Sequence, residues 1–234
     1  MAFELKRFWE KAEVAEAEGG FSITLDGRAL KTPLKRPLIV PSQALAAKIA
    51  AEWQAIEGKV DTTRLPYTSF AHAGLDQAVD ERAEIAAKIA LYGETDLLCY
   101  RAEAPQELVR RQAGSWNPLL AWCAETLAAP LVTTAGIVHV AQPEASLQAL
   151  DAEVQVFRGF ALKALYDWVT ISGSLVLGLA VAKGRLSAAE AWELSRLDES
   201  WQEEQWGVDD EARALADSKR DTFLLVERIM GMIR

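Results

Sequence analysis

Histidine is nearly missing from this sequence. The 234 residues hold only His72 and His139, and neither has metal-ligand spacing to a Cys, Asp or Glu, so no metal site is expected. Cysteine is equally scarce. Cys99 and Cys123 form no Cys-x-x-Cys pair and lie in apolar stretches, which reads as two buried thiols in a reducing compartment. No Gly-x-Ser-x-Gly occurs, which removes the hydrolase elbow. Gly173-Ser-Leu-Val-Leu-Gly178 lacks the lysine of a phosphate loop, and no Gly-rich strand-to-helix turn marks a dinucleotide site. No cofactor is therefore expected. Long hydrophobic runs are missing too. The most apolar stretch, Val169–Ala182, is shorter than the ~18–20 residues of a membrane span and is interrupted by Ser172 and Ser174. It reads as a helix buried on most sides, with Gly173 and Gly178 letting neighbouring helices approach.

Positive charge is short as well. Against 34 Asp and Glu stand 25 Lys and Arg, a net −9. That balance argues against nucleic acid and against an anionic membrane surface, both of which need concentrated Lys and Arg. The opening Met-Ala-Phe-Glu-Leu-Lys-Arg-Phe-Trp has neither an apolar run nor a cleavage site, and reads as mature protein rather than a signal or transit peptide.

What is there has two textures, and the expected fold class is α+β: a small β-rich domain with one helix over 1–65, then a larger, mainly helical domain over 66–234. Phe21, Ile23 and Leu25 alternate with Ser22 and Thr24 as in a half-buried strand, between the turn signals Glu18-Gly-Gly20 and Asp26-Gly27. A further strand is expected within Arg28–Thr32, and a short one at Leu38–Val40 among Pro33, Pro37 and Pro41. Ser42 is placed to cap a helix over Gln43–Glu57, ending at Gly58, with Ala46, Ile49, Ala50, Trp53 and Ile56 on one face. Beyond Pro66 the periodicity predicts helices over Leu75–Leu91, Gln106–Ser115, Pro118–Ala128, Ser146–Tyr166, Trp168–Ala182, Ser187–Trp206 and about Asp209–Arg234. Leu131–Val140 reads as a strand or an extended connection.

The negative charge is local. From Ala188 to Asp217 ten acids face only Arg196 and Arg213, a net −8, and Trp192, Trp201 and Trp206 lie among them. On one helix at ~100° per residue, Ala188, Ala191, Trp192, Leu194, Leu197, Trp201 and Trp206 share a broad apolar arc, and Glu193, Arg196, Glu203 and Glu204 lie opposite. Asp198, Gln202 and Gln205 fall within the arc, so they join an internal polar network or face a partner. Glu199 lies at its edge. Gly207 is placed to end the helix, and Asp209-Asp210-Glu211 to offset the dipole of the next one. Three readings fit these residues: a solvated helix face, a carboxylate acid/base pair drawn from Asp198, Glu199 and Glu211, and a docking surface for a basic protein.

Several segments together resemble one family: Phe8-Trp9, Gly20–Arg28 with Lys31-Thr-Pro33, Leu38-Ile-Val-Pro41, Ala50-Ala-Glu-Trp53, Gly93-Glu-Thr-Asp-Leu-Leu98 with Tyr100-Arg101, Trp116-Asn-Pro-Leu-Leu120, Ser174–Ala180, and Asp198–Ala212 with its two tryptophans. The ordered set is similar to the F1-ATPase assembly chaperones that act on the ATP synthase α subunit, although Val208 stands where that pattern leads one to expect an acid. The resemblance implies a non-enzyme that needs no ATP, whose partner is the free F1 α subunit, held until the β subunit replaces it. It places the protein in the cytoplasm of a bacterium, or in the mitochondrial matrix if it is a trimmed eukaryotic member. Under this reading Trp53, Glu199, Trp201, Trp206, Asp210 and Glu211 form or support the partner-binding surface.

Overall fold

A computed structural model describes residues 6–233 of the chain. It is predominantly helical, with its strands concentrated near the N-terminus, an α+β fold. The residues divide into two compact units, one drawn from Met1–Arg82, Arg158–Lys163 and Arg228–Arg234, the other from Ala83–Phe157 and Ala164–Glu227.

The first unit opens with four antiparallel strands. β1 (Ala12–Ala17) turns at Gly19 into β2 (Gly20–Leu25), with Ala17 opposite Gly20. Asp26 and Gly27, both at positive φ, make the tight turn into β3 (Arg28–Ala29). β4 (Ile39–Val40) also pairs with β2, so β2 is the centre of the sheet. Helix α1 (Gln43–Gln54) begins at Ser42, whose hydroxyl accepts from Leu45 N–H. Its apolar face, with Leu45, Ala46, Ile49, Ala50 and Trp53, packs across β1 and β2 over the buried Ile23 and Leu25. α2 (Pro66–Leu75) starts with proline in its first turn, where the missing N–H costs nothing. α3 (Gln77–Asp80) comes next, and α4 (Arg82–Ala90), which belongs to the second unit from Ala83 onward, follows. The single helix expected over Leu75–Leu91 is thus interrupted twice, at Asp76 and at Glu81. The Asp76 carboxylate instead accepts from Thr32 Oγ1 at 2.8 Å and Leu34 N–H at 3.1 Å, pinning the loop after β3.

In the second unit, β5 (Tyr100–Arg101) pairs in parallel with β6 (Thr134–Ala135). α5 (Gln106–Thr126) lies between them in sequence and is one continuous helix, not two. Pro118 removes a single backbone bond, while Gln112, Trp116, Leu119 and Cys123 form one buried face across it. Trp116 is fully buried, donates to Leu194 O at 3.0 Å and lies under the Arg101 guanidinium at 5.2 Å. α6 (Glu144–Gln155), α7 (Gly159–Ser172) and α8 (Leu175–Ala182) replace the two helices expected over Ser146–Ala182. α8 is buried from Leu175 to Val181.

The two glycines expected to admit close helix packing divide in role. Gly178 does so: a Cβ there would collide with Val169 Cγ2 of α7. Gly173 does not; it has open space around it and a φ of +72°, and it ends α7. Gly178→Ala is expected to cost about 1–3 kcal/mol through overpacking. Gly114→Ala, at an exposed position inside α5 with open space around it and no positive φ, is the control that lacks that collision. Urea denaturation of both variants checks the difference.

The helix expected over Ser187–Trp206 is two, α9 (Ala188–Ser195) and α10 (Leu197–Trp206). Ser187 and Glu190 form a reciprocal capping box at the start of α9. At its end Ser195 Oγ donates back to Trp192 O at 2.7 Å, and Arg196 leaves the helical region with φ −108° and ψ 14°. α11 (Asp210–Met232) closes the described chain.

A candidate protein-docking corner

Gly207, at φ +89°, turns the backbone between α10 and α11. Asp209 caps α11, its Oδ1 accepting from Glu211 N–H and Ala212 N–H at 2.9 Å each. Asp210 and Glu211 occupy the first turn, where the positive end of the helix dipole favours acids, and both are exposed.

The tryptophans of this corner part company. Trp201 is buried, at 8 % exposure, and Trp206 is exposed, at 75 %. Their rings meet edge to face at 5.7 Å. The shared apolar arc is therefore corrected at Trp206: five residues advance ~140° around a helix, and Trp206 is its last residue. Trp201 Nε1 is buried with no hydrogen-bond partner among the described residues. Val208, at the turn, and Leu215, on α11, are exposed too.

The acids sort by partner. Asp198 accepts from Gln112 Nε2 at 2.7 Å, and Gln112 Oε1 accepts from Ala102 N–H at 2.8 Å, so Asp198 belongs to an internal network. Gln202 and Gln205 instead face solvent. Glu204 takes a two-pronged bond from Arg111 at 2.7 and 2.8 Å, which holds its carboxyl below the usual range. Glu203 pairs with Arg213. Glu199 is half exposed and pairs with Arg196 at 2.9 Å. A polar cavity of about 270 Å³ adjoins α10 and α11, lined by residues that include Arg196, Glu203, Arg213 and Arg220. Asp198, Glu199 and Glu211, the residues of the acid/base reading, do not line it.

Trp53 lies in the other unit. It is 6 % exposed, its ring 5.3 Å from that of Trp9. Its Nε1 donates to Thr68 Oγ1 at 3.1 Å, and its carbonyl accepts from Trp9 Nε1 at 3.3 Å. Thr68 Oγ1 in turn donates to Glu52 at 2.6 Å, and Glu52 accepts from Tyr67 and Thr68 N–H at 2.7 and 2.8 Å. Leu65 offers α2 no side-chain cap, so Glu52 of α1 caps it from across the unit. Burial raises the Glu52 carboxyl above its usual range. Trp53 also walls a cavity, lined at its rim by Lys31 and Ser69, that sequence reasoning did not find.

An exposed tryptophan among carboxylates, backed by a buried one, has the make-up of a protein-binding surface: an aromatic anchor in a charged rim. The described residues contain no helix long and apolar enough to cross a membrane, and no cluster of three or more metal-ligating side chains.

Comparison with known proteins gives the family. The model of the ATP12 chaperone protein family matches residues 6–124. The chain is 44 % identical to Atp12 from Paracoccus denitrificans, whose crystal structure superposes with a TM-score of 0.89 over 98 % of each chain. The Atu1473 protein of Agrobacterium tumefaciens is 35 % identical, with a TM-score of 0.88 over 98 % of this chain and 86 % of that one. Protein atp12, mitochondrial, of Schizosaccharomyces pombe is 26 % identical over 222 residues, 90 % of this chain and 76 % of that protein. The chain belongs to the ATP12 family of F1-ATPase assembly chaperones, which are not enzymes.

Proposed function

We propose that this protein binds the free α subunit of F1-ATPase and shields its aggregation-prone surface until the β subunit takes its place, without using ATP. The observation that carries this reading is the exposed Trp206 at the end of α10, with Glu199 in the first turn of the same helix and Asp210 and Glu211 exposed in the first turn of α11, in a chain of the ATP12 family. A free subunit exposes apolar surface made for its neighbour, and such surface aggregates. In this reading Trp206 is the apolar contact and the three carboxylates select basic or amide-bearing groups on the client. Trp201 backs Trp206, and Trp53 supports the surface from within its own unit. The place of action is the compartment in which F1 is assembled, the cytoplasm of a bacterium or the mitochondrial matrix.

The test is aggregation of purified α subunit without nucleotide, alone and with this protein, with β subunit as the control client. Protection of α alone supports the reading; aggregation of α at the unassisted rate sinks it. Glu211→Lys and Glu199→Lys, each an exposed or half-exposed side chain, are expected to weaken α binding about tenfold while the melting temperature falls by no more than a few degrees, since rim charges act on encounter and selectivity and the lost helix-dipole and Arg196 contacts are small, solvent-screened terms. Isothermal titration beside thermal melts separates lost binding from lost folding.

A further inference from the structure

Four aliphatic side chains stand in solvent on the connection between α5 and α6, in the same unit as the acidic corner. Ile137 is 94 % exposed and Val138 70 %, and Val132 and Val140 are exposed on either side of them in the chain. A single exposed aliphatic residue is ordinary, whereas several on one loop mark a surface made for contact. The loop also lacks charge. From Thr126 to Pro143 there is no Asp, Glu, Lys or Arg, in a chain of which 25 % is charged.

The loop is held in place by its own bonds. The buried Gln142 side chain brackets Val132: its Oε1 accepts from Val132 N–H at 2.8 Å and its Nε2 donates to Val132 O at 2.9 Å. Ser146 Oγ donates to Pro130 O at 2.6 Å. Before the tip, β6 pairs with β5 and Gly136 N–H donates to Arg101 O at 2.8 Å. After it, His139 lies with Nε2 3.1 Å from Glu94 Oε1 and Nδ1 3.3 Å from the Tyr100 hydroxyl. Both flanks of Ile137-Val138 are thus fixed while the pair itself stays exposed. Fixing a loop in advance removes the ordering cost that a partner would otherwise meet.

The loop is also joined to the docking corner through α5. Ala102 N–H, one residue past the Arg101 carbonyl that holds Gly136, donates to Gln112 Oε1, and Gln112 Nε2 donates to Asp198 at the start of α10. Arg111, beside Gln112, holds Glu204 further along α10, the helix that ends at Trp206. This continuity decides the occupant. A second copy of the chain meeting at the loop alone brings too few residues, since a stable interface takes about 20–30 a side. A partner already seated at the corner needs only a small further contact from the loop. An uncharged aliphatic tip gains only from apolar surface, which a subunit awaiting its neighbour offers. We infer that the Ile137-Val138 tip is a second client contact, which rests on apolar surface of the free α subunit while the acidic corner engages that subunit's basic or amide-bearing groups. The inference rests on the reading of the α subunit as client. It gives the two contacts different chemistry, so a surface offering only one of them gains less, which adds selectivity.

The experiment compares the full chain with the double variant Ile137→Ser/Val138→Ser and with Ile137→Leu, which keeps the tip apolar. Glu211→Lys serves as the control for the acidic corner. Affinity for purified α subunit is read by titration at ~0.1 M and ~1 M salt, where exposed charges are weakly and strongly screened. A thermal melt and the solution mass of each variant accompany it. The double variant is expected to bind α about tenfold more weakly at both salt concentrations, and to melt within a few degrees of the parent because the changed side chains are exposed. Ile137→Leu is expected to bind as the parent does, and the loss in Glu211→Lys to shrink at high salt. A photoreactive p-benzoylphenylalanine at position 138 is expected to capture an apolar segment of α. Undiminished affinity in the double variant overturns the inference while the parent's binding keeps the client reading intact. A cross-link to a second copy of this chain, or a dimer that the double variant dissolves, makes the loop a self-association face and overturns it equally. Absence of α binding by the parent protein removes the client reading and this contact with it.

Discussion

Asp96→Ala is expected to lower unfolding free energy by about 3–5 kcal/mol, because it strands several buried donors at once. The Asp96 side chain has no exposed surface. Its Oδ1 accepts from Leu98 N–H at 3.0 Å and Ser174 Oγ at 2.7 Å, and its Oδ2 accepts from Val176 N–H at 2.9 Å. Ser174 Oγ also accepts from Leu177 N–H at 3.0 Å. One carboxylate therefore caps the short helical turn at Leu97–Cys99 and the first turn of α8, segments far apart in the chain. Two stretches that carried the family resemblance, Gly93–Leu98 and Ser174–Ala180, are the two halves of this single cap. Ser174→Ala removes only part of it, and its cost is expected to be about 1–2 kcal/mol. Chemical denaturation monitored by tryptophan fluorescence measures both.

The same group sets a pH signature. Burial raises the Asp96 carboxyl from an ordinary 3.8 to about 6, against the lowering effect of its hydrogen bonds. Between pH ~4 and ~6 the folded state therefore holds a proton that the unfolded chain has lost. The contribution of Asp96 to stability falls as pH rises through that window and is flat above it. Asp26, Asp61, Glu190 and Glu204 are held below their usual range by hydrogen bonds, and act in the opposite sense at lower pH. Comparing parent and Asp96→Asn across pH ~4–7 isolates the effect. The stability difference between the two is expected to change over the lower part of that range and to level off above pH ~6; a constant difference refutes the assignment.

Trp53→Ala is expected to destabilise the N-terminal unit by about 3–5 kcal/mol, the usual cost of emptying a buried tryptophan site. It opens a void beside Trp9 and also cuts the Trp53–Thr68–Glu52 chain that caps α2. Trp53→Phe keeps most of the ring and removes only the donor, so about 1 kcal/mol is expected. The pair separates two meanings of a loss of client binding. If Trp53→Phe melts within a few degrees of the parent and still binds, Trp53 serves the surface through the fold. If it melts normally and binds about tenfold more weakly, the indole itself meets the client.

Much of the molecule was legible because its causes are local. Asp26-Gly27 makes a tight turn wherever it occurs between strand-forming residues, Ser42 caps the helix that begins after it, and Gly207 ends a helix by taking a positive φ. The clustering of acids over Ala188–Asp217 is a property of composition, and it persists in the exposed Asp210 and Glu211. β1 was not legible. Ala12-Glu-Val-Ala-Glu-Ala17 is built largely from residues that favour helices, and only pairing with β2 makes it a strand.

The sequence by itself determined the α+β division of elements, the sign and place of the charge, the absence of motifs for metal and nucleotide chemistry, and, through its ordered motifs, the family. Tertiary structure decided where helices break and what each conspicuous residue does. Pro118 stays inside a helix because a buried face spans it, and Asp76 interrupts one because its carboxylate is taken by a distant loop. Trp53 and Trp206 are the same residue type, each assigned by its spacing to the apolar face of a helix, yet one is buried and the other exposed. Periodicity records only the angle of a side chain about its own helix. What lies across from that angle, a tryptophan and a threonine or open water, depends on segments that the chain brings together from far away.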